Sequence, residues 1–339
     1  MLTRLYTCKT INMAYVSIIV PCYNSSKTIA QCLNALRASI YKDYELIIVD
    51  DHSSDDTAAI AAQFTDKIIS LKENKGSGQA RKTGLLSSQA DITCFIDSDI
   101  MIKPDTLSII INYMEKHPEV DAVTGLLSKE HPNKNFFSQY KNLYMNYTFN
   151  LLPEKVAFLF GSVYAIKKKT TDASQGFLRY APDTEHGQTL LGQRKTIAFL
   201  KNLEVVHLKK YTFFSLIKND FWVPFSWARI FVRFRGWQQL GRNKTGFAHA
   251  PQRQLASIII TSILASFVIA GHFIAALNVL SCILLIIWLF LNTPFFLFLF
   301  KERGIRFLLS SIILTFIDQI IMAVGIIAGF YFQLFQLFV

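Results

Sequence analysis

Polar residues cluster at three points of this sequence, each time straight after a short β-branched run. Tyr15–Val20 leads into Pro21-Cys22-Tyr23-Asn24, Tyr44–Val49 into Asp50-Asp51-His52-Ser53-Ser54, and Ile92–Ile96 into Asp97-Ser98-Asp99. Side chains two apart on an extended strand lean the same way. Asp97 and Asp99 can therefore grip one hard divalent cation, Mg²⁺ or Mn²⁺, between protein and phosphate oxygens. Taken alone, the same pair reads as a solvated turn or a helix N-cap ahead of Pro104, and Asp50-Asp51 reads as a plain turn. Gly76, Gly78 and Gly84 break the GxGxxG spacing at its third position, and no GxxxxGK occurs. A dinucleotide fingerprint and a P-loop are both poorly supported.

The elements that must position these groups alternate: apolar runs, then helical patterns such as Thr28–Arg37. That alternation predicts a mostly parallel sheet with its ligands at the carboxyl ends of the strands. The soluble pattern extends from residue 14 to about 205. The whole chain of 339 residues is 51% hydrophobic and only 17% charged, too apolar for an ordinary soluble protein and far from disordered. Its five cysteines stand singly, which excludes a disulfide framework or a Cys-rich zinc site and fits a reducing compartment. Met1–Asn12 has no apolar stretch, so a cleaved leader is not expected.

The apolar surplus lies at the end. Leu255–Ala270, Phe273–Leu291 and Phe307–Phe332 each approach the roughly 20 residues that cross a bilayer core. Buried core helices could look alike one at a time, but three in succession argue for spans, placed at about 254–272, 273–292 and 307–333. Arg242, Lys244 and Arg253 precede the first, and Lys301, Arg303 and Arg306 separate the second from the third. The other two flanks carry no Lys or Arg, so the positive-inside rule puts the N-terminal domain in the cytoplasm and the C-terminus outside. Between domain and spans, residues 208–253 mix Lys209, Lys210, Lys218, Arg229, Arg233 and Arg235 with Trp and Phe. A net charge of +11 could suit nucleic acid. Its placement beside spans instead predicts interfacial helices among lipid headgroups and no nucleic-acid partner. Phe295–Phe300 is too short to cross and reads as interfacial too.

Four stretches resemble the large family of inverting family 2 glycosyltransferases with the GT-A fold: Val16–Asn24, Asp43–Thr57, Asn74–Leu85 and Ala90–Asp99. They keep that family's order and spacing over nearly all of residues 16–100. The resemblance implies an α/β GT-A domain over 14–207; the patterning above sets an interfacial segment over 208–253 and a transmembrane domain over 254–339 after it. It implies that Pro21, Tyr23 and Asp51 line a nucleotide base pocket, that Arg81 lies near base or phosphate, that Asp97 approaches the ribose and Asp99 the metal. His207 matches a family histidine that can complete the metal site, although a packed core histidine looks the same. The family's Glu-Asp before a helix is replaced by Ala181-Pro182-Asp183-Thr184-Glu185, so alignment on Gly187 and Leu190 makes Asp183 the base and Glu185 the alternative. Gly161 would let sugar or acceptor approach the backbone. The QxxRW element of processive synthases is missing: Trp227 has no arginine before it.

The resulting expectation is a metal-dependent transferase in a bacterial cytoplasmic membrane, moving sugar from a nucleotide-diphospho-sugar to a lipid or lipid-linked glycan. A processive polysaccharide synthase and a catalytically degenerate membrane subunit are the alternatives. Asp318, an acid inside the third span, is either a polar contact in the bundle or part of a headgroup path.

Overall fold

A computed structural model describes residues 16–170, 181–238 and 251–338. The domain limit at residue 14, the strand residue Tyr15, the reading of Met1–Asn12, and the cations Arg242 and Lys244 lie outside these residues.

The chain opens with β1 (Val16–Cys22), α1 (Ile29–Arg37), β2 (Tyr44–Asp50), α2 (Thr57–Ala61), β3 (Ile68–Ser70), α3 (Ser77–Ser87) and β4 (Ile92–Ile96). Every residue of β1 and β4 is buried, as in strands covered by helices on both faces. After them come β5 (Ile100–Met101), α4 (Thr106–Lys116), β6 (Ala122–Leu127), α5 (Phe136–Asn150), β7 (Lys155–Val156), β8 (Val163–Lys167), α6 (Pro182–Gly192) and β9 (Ile197–His207). Together they form a nine-stranded sheet in the order β3-β2-β1-β4-β8-β6-β9-β5, with β7 on β9. The expected parallel pairing holds from β3 to β4. Beyond β4 the sheet is mixed, because β8 runs antiparallel to both β4 and β6.

One pairing matters for the site. Ile100 of β5 lies opposite His207 at the end of β9, and the Leu208 N–H donates to the Asp99 carbonyl at 2.8 Å. Residues far apart in sequence are thereby joined at one sheet edge.

The last part is helical. α7 (Phe213–Arg233) starts with a capping box between Thr212 and Ser215. α8 (Gln252–Ala270) and α9 (Ala276–Phe338) are long and apolar enough to cross a membrane. α9 is two arms, not one rod. Gly304 breaks it with φ 76° and ψ −177°, a region open almost only to glycine. The three apolar runs thus become α8 and the two arms of α9.

Phe295–Phe300 differs from expectation. It is the end of the first arm, and Phe295, Phe296 and Leu299 are buried beside Tyr140 and Tyr144 of α5. The helix continues because the fault at Pro294 is mended. Proline lacks the N–H that would bond the Phe290 carbonyl and crowds that turn. Arg253 at the start of α8 donates to the Phe290 and Leu291 carbonyls at 2.6 and 2.7 Å.

Polar residues hold the bundle together. Gln319 Oε1 accepts from Ser257, Thr261 and Trp288, and its Nε2 donates to Asn292 Oδ1 at 3.0 Å. Such contacts substitute for the hydrophobic drive that is missing between helices in lipid. Asp318 is also a contact within the bundle, buried against Asp220 of α7. Asp220 in turn pairs with Lys141 of α5. The turn between the arms docks on the sheet domain: Arg303 donates to Gln139 Oε1 at 2.8 Å and Lys129 pairs with Glu302 at 2.7 Å.

α7 packs on the second arm of α9 at backbone distance. A Cβ on Gly325 would lie 2.4 Å from the Phe221 carbonyl oxygen, and one on Gly329 2.2 Å from that of Phe225. This is the small-xxx-small pattern of closely packed membrane helices. Gly329→Val should therefore cost roughly 1–3 kcal/mol by overpacking. It should lower the thermal unfolding midpoint in detergent, whereas Gly192→Ala, with open space at that position, should leave it unchanged.

Candidate active site

β1 is flanked by β2 on one side and β4 on the other, and the chain reverses its order of addition there. Open α/β sheets bind ligands at the carboxyl ends of the strands at such a point. A cleft of about 270 Å³ lies there, lined by Pro21, Tyr23, Asp51, Arg81, Asp97 and Asp99 together. Tyr23 is half exposed and offers a ring face. Asp51 is buried and holds the opposite rim: its two oxygens accept from the N–H groups of Lys75 and Gly76 at 2.8 and 2.7 Å.

Arg81 projects from α3, its side chain only 4% exposed, and Nη2 pairs with Asp97 Oδ1 at 2.5 Å. Nη1 reaches Ser77 Oγ at 3.2 Å. Desolvation, opposed by Arg81 but reinforced by Asp99 and Asp183, pushes the Asp97 carboxyl up to about 6. Desolvation acts on Asp99 in the same direction, yet His207, Lys209 and a main-chain hydrogen bond together outweigh it and the Asp99 carboxyl ends below its usual range. The contact is His207 Nε2 to Asp99 Oδ2 at 3.3 Å, made possible by the β5–β9 pairing.

Asp183 stands in the first turn of α6. Its Oδ2 accepts from the Gly161 N–H and its Oδ1 from the Thr184 N–H, both at 2.9 Å. A Cβ on Gly161 would lie 3.1 Å from both Arg81 Nη2 and Asp183 Oδ2, and 3.5 Å from Asp97 Oδ2. Gly161 therefore marks where the three side chains meet. Its role is to aim Asp183 through a main-chain donor, besides leaving room.

Glu185 is not at this meeting point. Residues two apart on a helix are separated by about 200° of rotation, so Asp183 and Glu185 face opposite ways. Glu185 is buried on the far side, with Oε1 accepting from Arg233 Nη1 at 2.9 Å. Glu185, the alternative base, is thus paired with Arg233 and stands apart from the junction. Two cations expected among headgroups also turn inward. Arg233 meets Glu185, and Arg229 donates to Gln333 at 3.3 Å and lies over the Phe332 ring.

A second cavity, of about 440 Å³, shares Asp97 and Asp99 with the first. Asp183 and His207 line its near end, and Ile258 of α8 with Met322 and Ile326 of α9 line its far end. His131, Lys141 and Lys209 also border it. No sequence signal singled out His131 or Lys141. Lys141 stood out only as a cation in an otherwise uncharged helix.

Among the described residues, no group of three or more His, Cys, Asp or Glu converges closely enough to cage an ion alone. A hard cation that shares its coordination with phosphate oxygens needs only one or two carboxylates. Asp99 with His207 beside it, and Asp97 across the cleft, suit that requirement.

Residues 17–173, which supply the whole donor cleft, match the family described as Glycosyl transferase family 2. They are a family 2 glycosyltransferase domain. The poly-beta-1,6-N-acetyl-D-glucosamine synthase of Staphylococcus epidermidis is 32% identical over 114 residues, 32% of this chain and 28% of that protein. Glycosyltransferase AglE of Haloferax volcanii is 38% identical over 131 residues, 37% of this chain and 43% of that protein. The chain thus spans less than half the length of these relatives. Beyond the glycosyltransferase domain, likeness is structural. The mannosyltransferase PcManGT of Pyrobaculum calidifontis, solved with GDP-Man and Mn²⁺, superposes with a TM-score of 0.54 at 16% identity, over 95% of this chain and 88% of that one. The GT-A fold with apolar C-terminal helices is the observed architecture.

The Asp51 contacts make a test of the cleft itself. Asp51→Asn keeps one acceptor but turns an N–H₂ toward the second main-chain donor. Charged hydrogen bonds are worth about 1.5–3 kcal/mol. Amide exchange over residues 74–78 should therefore accelerate roughly 10–100-fold, measured by mass spectrometry, with the sheet unaffected.

Proposed function

We propose that this chain transfers a sugar, with inversion, from a nucleotide-diphospho-sugar to a lipid or lipid-linked glycan acceptor at a membrane surface. The observation that carries the reading is the joining of two cavities at Asp97 and Asp99. One is walled by the family's donor residues, and the other runs from Asp183 to the apolar helices.

In this reading the base stacks on Tyr23 and is bounded by Pro21 and Asp51. Asp97 receives the ribose, and Arg81 sits near the phosphates. The anomeric carbon then lies near the junction, within reach of Asp183. Asp183 accepts the proton of the acceptor as its oxygen attacks from the side of the second cavity, opposite the departing diphosphate. Attack from that face inverts the configuration. If the acceptor is already a phosphate, Asp183 has less to do. Asp99, His207 and Asp97 would hold a Mg²⁺ or Mn²⁺ ion, which when bound neutralises charge on the leaving diphosphate. Ile258, Met322 and Ile326 give an acyl chain an apolar path, which a water-soluble acceptor would not need.

The Lys301–Arg306 turn docks on the sheet domain through Arg303 and Glu302, so both share one side of the bilayer in this reading. Its cations make that side the cytoplasm. The Staphylococcus epidermidis relative favours a second reading, a polymer-extending synthase, against which stands the missing arginine before Trp227.

Membranes containing the chain, incubated with a panel of labelled nucleotide-sugars and extracted, should give a labelled lipid bearing one added sugar. A ladder of lengths would favour the synthase, and no label at all the degenerate subunit. Asp183→Asn should lower turnover by roughly 10²–10⁴, with nucleotide diphosphate binding retained in calorimetry. Asp99→Asn should abolish transfer and, independently of activity, weaken the Mn²⁺ binding seen by paramagnetic resonance in the presence of nucleotide diphosphate.

A further inference from the structure

α7 reaches the side of α6 that faces away from the cavity. Asp183 looks into the junction, whereas Glu185 looks back and is only 3% exposed. Its partner Arg233 is the last residue of α7, at 2.9 Å. One turn earlier, Arg229 bonds Gln333 and covers Phe332 on α9. The middle of α7 rests on Gly325 and Gly329 of the same arm. The end of α7 is thus held by α9 on one face and holds α6 on the other.

α6 itself starts from a strained position. Ala181 adopts φ 47° and ψ 54°, a left-handed conformation that a residue with a Cβ avoids unless its surroundings impose it. The start of α6 is held by Gly161 at Asp183 and by Arg233 at Glu185, while its next turn packs Gly187 on the Phe158 backbone and bonds Gln188 to the Ala157 carbonyl. Arg233 is half exposed but Glu185 is buried, so loss of Arg233 would take the cation from a buried carboxylate; the pair both stabilises this turn and fixes its placement.

We propose that Arg233 and Glu185 are positioning residues: the pair transmits the seating of α7 on α9 to α6, and so keeps the Asp183 carboxylate on the Gly161 N–H, facing the acceptor cavity. The inference rests on the reading of Asp183 as the base. Displacement of a reacting group by about 1 Å can cost up to 10²-fold in rate. Loosening α6 should accordingly slow transfer without touching the donor cleft, none of whose lining residues belongs to α6 or α7.

The test uses the full chain in lipid nanodiscs. Arg233→Gln and Glu185→Gln should each lower kcat about tenfold. KM for the nucleotide-sugar and calorimetric binding of UDP or GDP should stay within about twofold, and amide exchange over residues 182–188 should quicken. Arg233→Lys, which restores a cation, should recover most of the rate. The reversed pair Arg233→Glu with Glu185→Arg should recover it too, provided it elutes as a monodisperse species; if it does not, the contrast of Lys with Gln at 233 decides. Unchanged kcat in Arg233→Gln overturns the proposal. So does a loss shared equally by kcat and nucleotide binding, which would make the pair merely structural. Failure of the underlying reading looks different: Asp183→Asn would then keep its turnover, whatever Arg233→Gln does.

Discussion

Like charge crowded into one cleft is the constraint on which the rest of this structure depends. Asp97, Asp99 and Asp183 reach the same junction from the end of β4, from the turn after it and from α6. Burial lifts the Asp97 carboxyl, and Asp99 and Asp183 add to the rise. Each has been given its own counterweight. Arg81 arrives from α3 for Asp97, His207 from the far end of β9 for Asp99, and main-chain N–H groups for Asp183. The sheet order follows from these needs as much as from burial. β8 must lie beside β4 for Gly161 to face Asp97, and β9 must meet β5 for His207 to face Asp99. One guanidinium and one imidazole against three carboxylates still leave the junction acidic, a place suited to a cation.

What was legible in the sequence was local. Tyr23, Asp51, Arg81, Asp97 and Asp99 stand on consecutive βα units within residues 16–100, where strand ends and motif order alone place them in one cleft. The second half of the site is assembled from α6, β9 and the loop before β8, and no spacing announces such a convergence. Asp183 and Glu185 could not be separated until the start of α6 at Pro182 was known, since only then does helical rotation put them on opposite faces. The partner of Arg233 was hidden for a different reason. A cation among Trp and Phe reads the same from sequence whether its partner is a lipid phosphate or a buried carboxylate. Phe295–Phe300 was taken for a separate interfacial piece because proline normally ends a helix, and nothing in the local sequence reveals a donor waiting on another helix.

The apolar helical part follows its own rule. Among apolar helices, specificity cannot come from greasiness, which every surface shares. It comes from the few positions that differ: Gln319 collecting donors from α8 and α9, Gly325 and Gly329 admitting the backbone of α7, and Gly304 permitting the reversal between arms. These positions define where α7 lies and, through it, what α6 can touch.

The bond between Arg253 and the carbonyls beside Pro294 gives those two positions a shared history. Suppose an alanine came first at 294. The helix would regain its own N–H, and Arg253 could then drift without harm. Were Arg253 lost first, the Phe290 carbonyl, which Pro294 deprives of its helical donor, would lose its replacement. The same two substitutions are therefore passable in one order and blocked in the other. The need for a cation at 253 is thus conditional on the proline at 294.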